Sequence, residues 1–191
     1  MFSTAVGGIG HCLAQPVTNG VKAGESLTKF NMSGMGITNG AGFGGQAGAF
    51  ANIPLGESFA VQPELLLNYT TSKWKASGHK ETFKQWGLEL PVYAIGRIRA
   101  GSGSLFVGAG PYAAYGLSAK YAGTNMYKKQ GDAGKSPMSR FDFGAAATAG
   151  YTFPNGISVN FAYRMGLVDH LKENKSNATF PPRSFTPGVG Y

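Results

Sequence analysis

The chain has 191 residues, a net charge of +8, 30 glycines and 13% aromatic residues, but only 14% charged residues. Soluble domains usually carry about 25% charged residues, so this composition disfavours an ordinary water-facing surface. No run of about 18 apolar residues occurs, which argues against a transmembrane helix.

The first fourteen residues, "MFSTAVGGIGHCLA", resemble the end of a secretory signal peptide with a cut before Gln15. No Lys or Arg precedes the apolar part, so the start of this leader is expected to be incomplete. We therefore expect a leader over residues 1–14 and a single mature domain over residues 15–191. The one cysteine, Cys12, would be lost with the leader, and no disulfide is expected.

After the leader, apolar residues alternate with polar or small residues, which is typical of β-strands with two different faces. From Ile157 to Leu167, for example, every odd position is apolar and every even position is polar or small. Eight such segments follow in chain order: 20–30, 42–53, 58–70, 85–99, 104–120, 140–153, 157–167 and 183–191.

The connections between the segments alternate in length. Short links at 54–57, 100–103 and 154–156 contain the Gly and Asn that tight turns favour. The long links fall at 31–41, 71–84, 121–139 and 168–182. This pattern predicts an all-β, eight-stranded antiparallel up-and-down transmembrane β-barrel with short periplasmic turns and long extracellular loops.

The composition of the two faces indicates which face meets lipid. The polar faces are mostly small residues, which suit the narrow lumen of an eight-stranded barrel. On the fifth segment they are Gly108, Gly110, Ala114, Gly116 and Ser118. The opposite faces carry Phe, Tyr, Leu and Val, with aromatics near the segment ends, as membrane-facing strands do. We therefore expect the apolar face to meet lipid and the protein to lie in the cell outer membrane.

A few charged residues fall on the small-residue face, where a buried charge must be paired. They are nearly balanced in sign, and we expect a hydrogen-bonded lumen network with at least one carboxylate–guanidinium pair that plugs the barrel. The alternative is an ion or substrate path, or a carboxylate pair for acid–base chemistry. The residues are Lys22, Glu64, Glu89, Arg97, Arg140, Asp142 and Arg164.

Several stretches resemble the PorT-type outer-membrane β-barrel family of Bacteroidetes. They are "FAVQPELLLNY" (59–69), "LELPVYAIGRI" (88–98), "VGAGPYAAYGLSAK" (107–120), "FDFGAAATAGYTF" (141–153) and "GISVNFAYRMGLVD" (156–169). The resemblance implies an outer-membrane barrel. Some members of that family serve a secretion system, and most have no known activity.

Basic residues concentrate in stretches that are predicted to be loops, at 72–84, 120–135 and 170–175. No nucleic-acid motif accompanies them. We expect extracellular loops that contact outer-membrane lipid, anionic lipopolysaccharide or an acidic protein partner, in a structural, adhesive or secretion-associated role.

The sequence shows no pattern of catalytic residues. His79 and His170 fall in predicted loops without a triad spacing, and His11 falls in the leader. No metal-ligand spacing or phosphate loop occurs, so we expect no enzymatic activity, cofactor or metal. Two alternatives remain open: a soluble lipocalin-like carrier of an apolar ligand, and a lipid-modifying barrel enzyme that uses loop His and Asp residues.

Overall fold

The computed structural model describes residues 16–29, 42–76, 79–121, 124–125, 140–167 and 183–191. No helix in these ranges is long and apolar enough to cross a membrane. The predicted leader lies outside them. The strands that run through them are β1 Thr18–Lys29, β2 Gly42–Pro54, β3 Phe59–Ala76, β4 His79–Ala100, β5 Gly103–Tyr121, β6 Thr124–Asn125, β7 Phe141–Thr152, β8 Ser158–Gly166 and β9 Arg183–Gly190.

Eight of these strands close into one antiparallel barrel, which confirms the predicted fold. Each pairs with the next along the chain, with β5 pairing with β7, and β1 closes the barrel by pairing with β9. The two-residue β6 adds to the end of β5. Closure satisfies the backbone groups that the edge of an open sheet would expose.

The short connections gather at one end of the barrel, which we call the turn end. They are residues 55–58, 101–102 and 153–157. Gly101 (φ 61°) and Gly156 (φ 87°) adopt left-handed backbone conformations there, which glycine tolerates because it has no Cβ. The opposite end is the loop end. The predicted links at 31–41 and 168–182, and most of that at 121–139, lie outside the described residues.

The outer face of the barrel is apolar, and its exposed side chains include Leu65, Val107 and Phe161. Aromatic pairs border this face, with ring centroids 4.8 Å apart for Tyr69 and Trp86 near the loop end and 5.0 Å apart for Tyr151 and Phe153 near the turn end. Such rings sit well at the two boundaries between lipid and water.

Small residues on the inner face make room for a few large ones. A Cβ added to Gly144 would lie 2.6 Å from Cε1 of Tyr112, and one added to Gly150 would lie 2.6 Å from Cζ of Phe106. Both rings are buried in the lumen. The predicted reason for the small residues, a lumen filled by side chains, therefore agrees with the packing.

The prediction of a loop over 71–84 is wrong. β3 and β4 continue to pair as far as Ala76 and His79, so that β3 has 18 residues and β4 has 22. About 9–11 residues suffice to cross a bilayer, and the excess forms a hairpin beyond the loop end. Strands that leave the membrane meet water on both faces, and they therefore need no apolar alternation, which is the signal that the prediction relied on.

The inward assignment of Ser118 is also wrong. The register between β4 and β5 shifts at Trp86 and Gly87, because Trp86 pairs with Ser118 whereas Gly87 pairs with Gly116. Leu117 is thus an extra residue in β5, a β-bulge that exchanges the two faces beyond it. Ser118 joins Trp86 on the outer face, and Ala119 becomes fully buried.

Candidate functional site

The seven charged residues that the sequence predicts for the lumen come from five strands and the residue before one of them. Lys22 is on β1, Glu64 on β3, Glu89 and Arg97 on β4, Asp142 on β7 and Arg164 on β8, while Arg140 directly precedes β7. Only the closed barrel brings them together, because the members of each ion pair below are at least 42 residues apart in the chain.

Arg164 is at the centre of the first cluster. Its Nη1 forms a short salt bridge with Oε2 of Glu89, and both side chains are at least nine-tenths buried. Its Nη2 donates hydrogen bonds of 2.8 Å to Oε1 of Gln46 and to Oγ1 of Thr186. Asn68 donates a hydrogen bond of 2.8 Å to the same Glu89 oxygen. The guanidinium thus ties β8 to β2, β4 and β9 across the lumen.

A second cluster surrounds Glu64. Lys22 Nζ lies 3.0 Å from Oε1 and 2.9 Å from Oε2 of Glu64, whose side chain is fully buried. Gln62 donates a hydrogen bond of 2.9 Å to Oε1 of Glu64, and Asn52 donates one of 3.1 Å to Gln62. This chain of contacts runs from the middle of the barrel toward the turn end.

The remaining three predicted residues lie nearer the barrel ends. Asp142 accepts a hydrogen bond of 2.9 Å from the hydroxyl of Tyr112. Arg140 lies at the loop-end rim, where it donates to the carbonyl of Gly116 at 3.4 Å and its Cζ lies 6.0 Å from the centroid of the Tyr115 ring. Arg97 lies near the turn end and joins neither cluster.

Between the two ends, a layer of side chains fills the lumen, and we call it the central plug. Its largest members, Leu66, Tyr93 and Ile95, are no more than 2% exposed, and Glu64 and Thr186 are similarly buried. A cavity of about 150 Å³ lies on the loop-end side and one of about 480 Å³ on the turn-end side. We call them the loop-end chamber and the turn-end chamber. The interior of an eight-stranded barrel is only wide enough for side chains to fill it.

The rim of the loop end carries a further concentration of charge. We call residues 72–76, 79–84 and 117–121 the basic projection, and they contain five lysines and one glutamate. Lys75 is directly opposite Lys80 in the strand register, and Lys84 is directly opposite Lys120. Like charges that face each other on adjacent strands repel.

The sequence profile of the outer membrane protein beta-barrel domain family matches residues 13–172. The chain belongs to this family. The expected location in the cell outer membrane is thereby confirmed. No curated protein matches the chain.

Solved structures with the same fold cover most of this barrel. OprG from Pseudomonas aeruginosa has a TM-score of 0.55 at 13% identity, with 93% of this chain and 96% of that chain covered. Ail, the attachment invasion locus protein of Yersinia pestis, solved with the heparin analogue sucrose octasulfate, has a TM-score of 0.51 at 16% identity, with 91% and 96% covered. The outer membrane enzyme PagL has a TM-score of 0.50 at 15% identity, with 90% and 97% covered. At these identities the likeness concerns the fold.

Sequence reasoning singled out charges and missed the uncharged residues that bind them. Gln46, Thr186 and Tyr112 each contact a predicted lumen residue through a side-chain hydrogen bond. The sequence did contain a signal for these residues, which is a polar side chain or a single large ring at an inward position where most other residues are glycine or alanine. Of the loop residues considered for catalysis, His79 begins β4, and His170 lies outside the described residues.

Proposed function

We propose that this outer-membrane barrel is a non-conducting and non-enzymatic scaffold that presents its basic projection to anionic groups at the cell surface. The partner that we favour is the phosphate of lipopolysaccharide. The observation that carries this proposal is the bulge at Leu117, which moves Lys120 to the outer face and opposite Lys84. Bulges often serve to re-aim a side chain.

The depth of these two lysines supports a phosphate partner. On the outer face of β4, Lys84 is one outward position beyond Trp86, which packs against Tyr69 at the aromatic border. A residue just beyond such a border lies at the level of the lipid headgroups. Both lysines are exposed, and an anion between them would turn their mutual repulsion into two attractions.

The filled lumen supports the scaffold part of the proposal. The central plug fills the middle of the lumen, the Arg164–Glu89 pair crosses it from β8 to β4, and the Lys22–Glu64 pair joins β1 to β3; this filling argues against an open channel. In planar bilayers, the purified protein is expected to give no steady ion conductance. A reproducible single-channel current would overturn this part without affecting the question of lipopolysaccharide binding.

The test of the lipopolysaccharide contact uses purified protein in neutral-lipid vesicles and measures binding of lipopolysaccharide at rising NaCl concentration. The double variant Lys84→Gln, Lys120→Gln should bind more weakly at low salt, and the difference should fade toward 1 M NaCl, where the Debye length is about 3 Å. The charge-preserving variant Lys84→Arg, Lys120→Arg is the matched control and should bind like the unmodified protein. Equal binding by all three would refute the proposed contact.

Charge recognition also predicts competition by other polyanions. Ail, which has the same fold, was solved with sucrose octasulfate. We expect this sulfated sugar to displace lipopolysaccharide from the present protein and its Arg variant alike. If dephosphorylated lipopolysaccharide bound as well as the intact molecule, the phosphates would not be the recognised groups.

The proposal also includes the subgroup of the family to which the chain belongs and the alternative of an enzymatic activity. Membership of the PorT-type group is supported by the stretches at 59–69 and 88–98, and it suggests a role beside a secretion system. Enzymatic activity is the alternative that the likeness to PagL favours. A chemical modification of outer-membrane lipid that His79→Ala or His170→Ala abolishes would establish that alternative.

A further inference from the structure

The turn-end chamber differs from the rest of the lumen in its charge. Its volume is about 480 Å³, which is large compared with the roughly 30 Å³ that a water molecule takes up in the liquid. It is lined by amide and hydroxyl side chains together with Lys22 and Arg97, and no Asp or Glu side chain is among its described lining residues. Both charged side chains of this lining are therefore cations, and they lie among polar groups and the rings of Phe50, Phe106 and Tyr191.

Only one of the two cations is already neutralised. Lys22 Nζ is bound to both carboxylate oxygens of Glu64. The guanidinium of Arg97 forms no hydrogen bond or ion pair within the part of the chain that the structure describes, and its Nε is buried without a partner. A buried guanidinium nitrogen without an acceptor is costly, and an oxyanion would supply the missing acceptor.

Other polar groups in the chamber wall are also left without a partner. Thr148 is 5% exposed and Asn160 is 4% exposed, yet Oγ1 of Thr148 and Oδ1 of Asn160 have no hydrogen-bond partner. The Thr148 hydroxyl has a proton to donate, whereas Oδ1 of Asn160 is an acceptor that needs a donor such as water. Guanidinium and hydroxyl donors that face one space are groups with which proteins hold phosphate or sulfate.

We propose that the turn-end chamber binds a small oxyanion, with inorganic phosphate as the simplest example. Arg97 supplies the charge and Thr148 supplies a hydroxyl donor. The chamber opens at the end where β1 begins and β9 ends, which is the periplasmic side in barrels with short turns there. The ligand would therefore come from the periplasm, either as a free ion or as the phosphate of an inner-leaflet headgroup.

The experiment measures the thermal unfolding midpoint of the whole protein in lipid-free, uncharged detergent while sodium phosphate replaces sodium chloride at constant ionic strength. Binding to the folded state raises the midpoint. We expect the midpoint to rise with phosphate concentration and the ³¹P resonance of phosphate to broaden. In Arg97→Gln both effects should be lost, and in Thr148→Val they should be reduced.

Two variants separate binding from folding and from general charge. Thr148→Val keeps the shape of a side chain whose hydroxyl has no partner, so it should fold even if Arg97→Gln does not. Arg99→Gln removes an exposed cation two residues along β4 that does not line the chamber, and it should respond to phosphate like the unmodified protein. Equal responses of Arg97→Gln and Arg99→Gln would overturn the proposal.

A second arm identifies the source of the oxyanion. Vesicles of phosphatidylglycerol are compared with vesicles of phosphatidylcholine in phosphate-free buffer. A stabilisation by phosphatidylglycerol that depends on Arg97, without a response to phosphate, would assign the site to a headgroup. A chamber that holds only water would give no Arg97-dependent response in either arm, and this result would refute the site.

Discussion

The two ends of the lumen are built from the same strands, yet they differ in how their charges are matched. Toward the loop end, Arg164 is paired with Glu89, and Asp142 accepts a hydrogen bond from Tyr112 beside a cavity of about 150 Å³. Toward the turn end, Arg97 faces a cavity of about 480 Å³ without a carboxylate in its described lining. An inward arginine that meets a carboxylate thus links two strands, as Arg164 does. An inward arginine that meets none, such as Arg97, keeps a hydrogen-bond donor without an acceptor.

The largest expected effect separates these two arginines. Arg164→Met should lower the free energy of unfolding by about 3–5 kcal/mol, because Glu89 would stay buried without its cation. Arg97→Met removes a guanidinium that binds no described side chain, so its cost should be about 1 kcal/mol or less. Urea midpoints for folding into lipid vesicles measure both. Similar losses of unfolding free energy in the two variants would show that the two ends of the lumen do not differ in this way.

A double variant sharpens the same comparison. Glu89→Leu combined with Arg164→Met removes both charges and leaves none unpaired. Its free energy of unfolding should recover most of what Arg164→Met loses, because replacing a whole buried ion pair by apolar residues is often neutral. A double variant as unstable as Arg164→Met would mean that the bonds to Gln46 and Thr186, rather than the ion pair, hold this end together.

The next effect compares the turn-end chamber with the lipid face beside it. Phe161 is 49% exposed on the outer face and stacks on Phe185 at 5.7 Å, whereas its neighbour Asn160 is buried in the chamber wall. Phe161→Arg should cost about 2–4 kcal/mol, because a cation near the bilayer midplane loses its hydration without gaining a partner. Asn160→Ser should be mild. The urea midpoints of the two variants would be in the opposite order if the faces were assigned backwards.

The smallest effect concerns an acid that lies outside the lumen. Glu25 is exposed on the outer face of β1, one outward position before Leu27. Glu25→Gln should raise the free energy of unfolding, because a carboxylate on the lipid face is destabilising. The gain should be only about 1 kcal/mol, because such carboxylates cost less than cations do. Glu57→Gln, in the exposed turn between β2 and β3, is the control and should change nothing. A loss of stability in Glu25→Gln would mean that Glu25 has a cationic partner.

The sequence by itself determined the fold class and most of the inward and outward positions, because side chains alternate with a period of two wherever a strand separates lipid from a lumen. This is why Glu64 and Glu89 are buried whereas Phe161 is exposed. It predicted a loop over 71–84 where the structure has a hairpin, because strands with water on both sides have no such alternation.

Only the tertiary structure decided which inward charges meet. Glu89 and Arg164 are 75 residues apart in the chain, and their contact depends on the stagger of eight strands around the closed barrel. The same holds for Arg97, which has no partner because the strands that it faces across the chamber place no carboxylate in the described lining. The bulge at Leu117 is a third case, because a single extra residue exchanges the faces of Ser118, Ala119 and Lys120 without interrupting the strand. Alternation is a local property of the backbone, whereas register across a barrel depends on all of its strands at once.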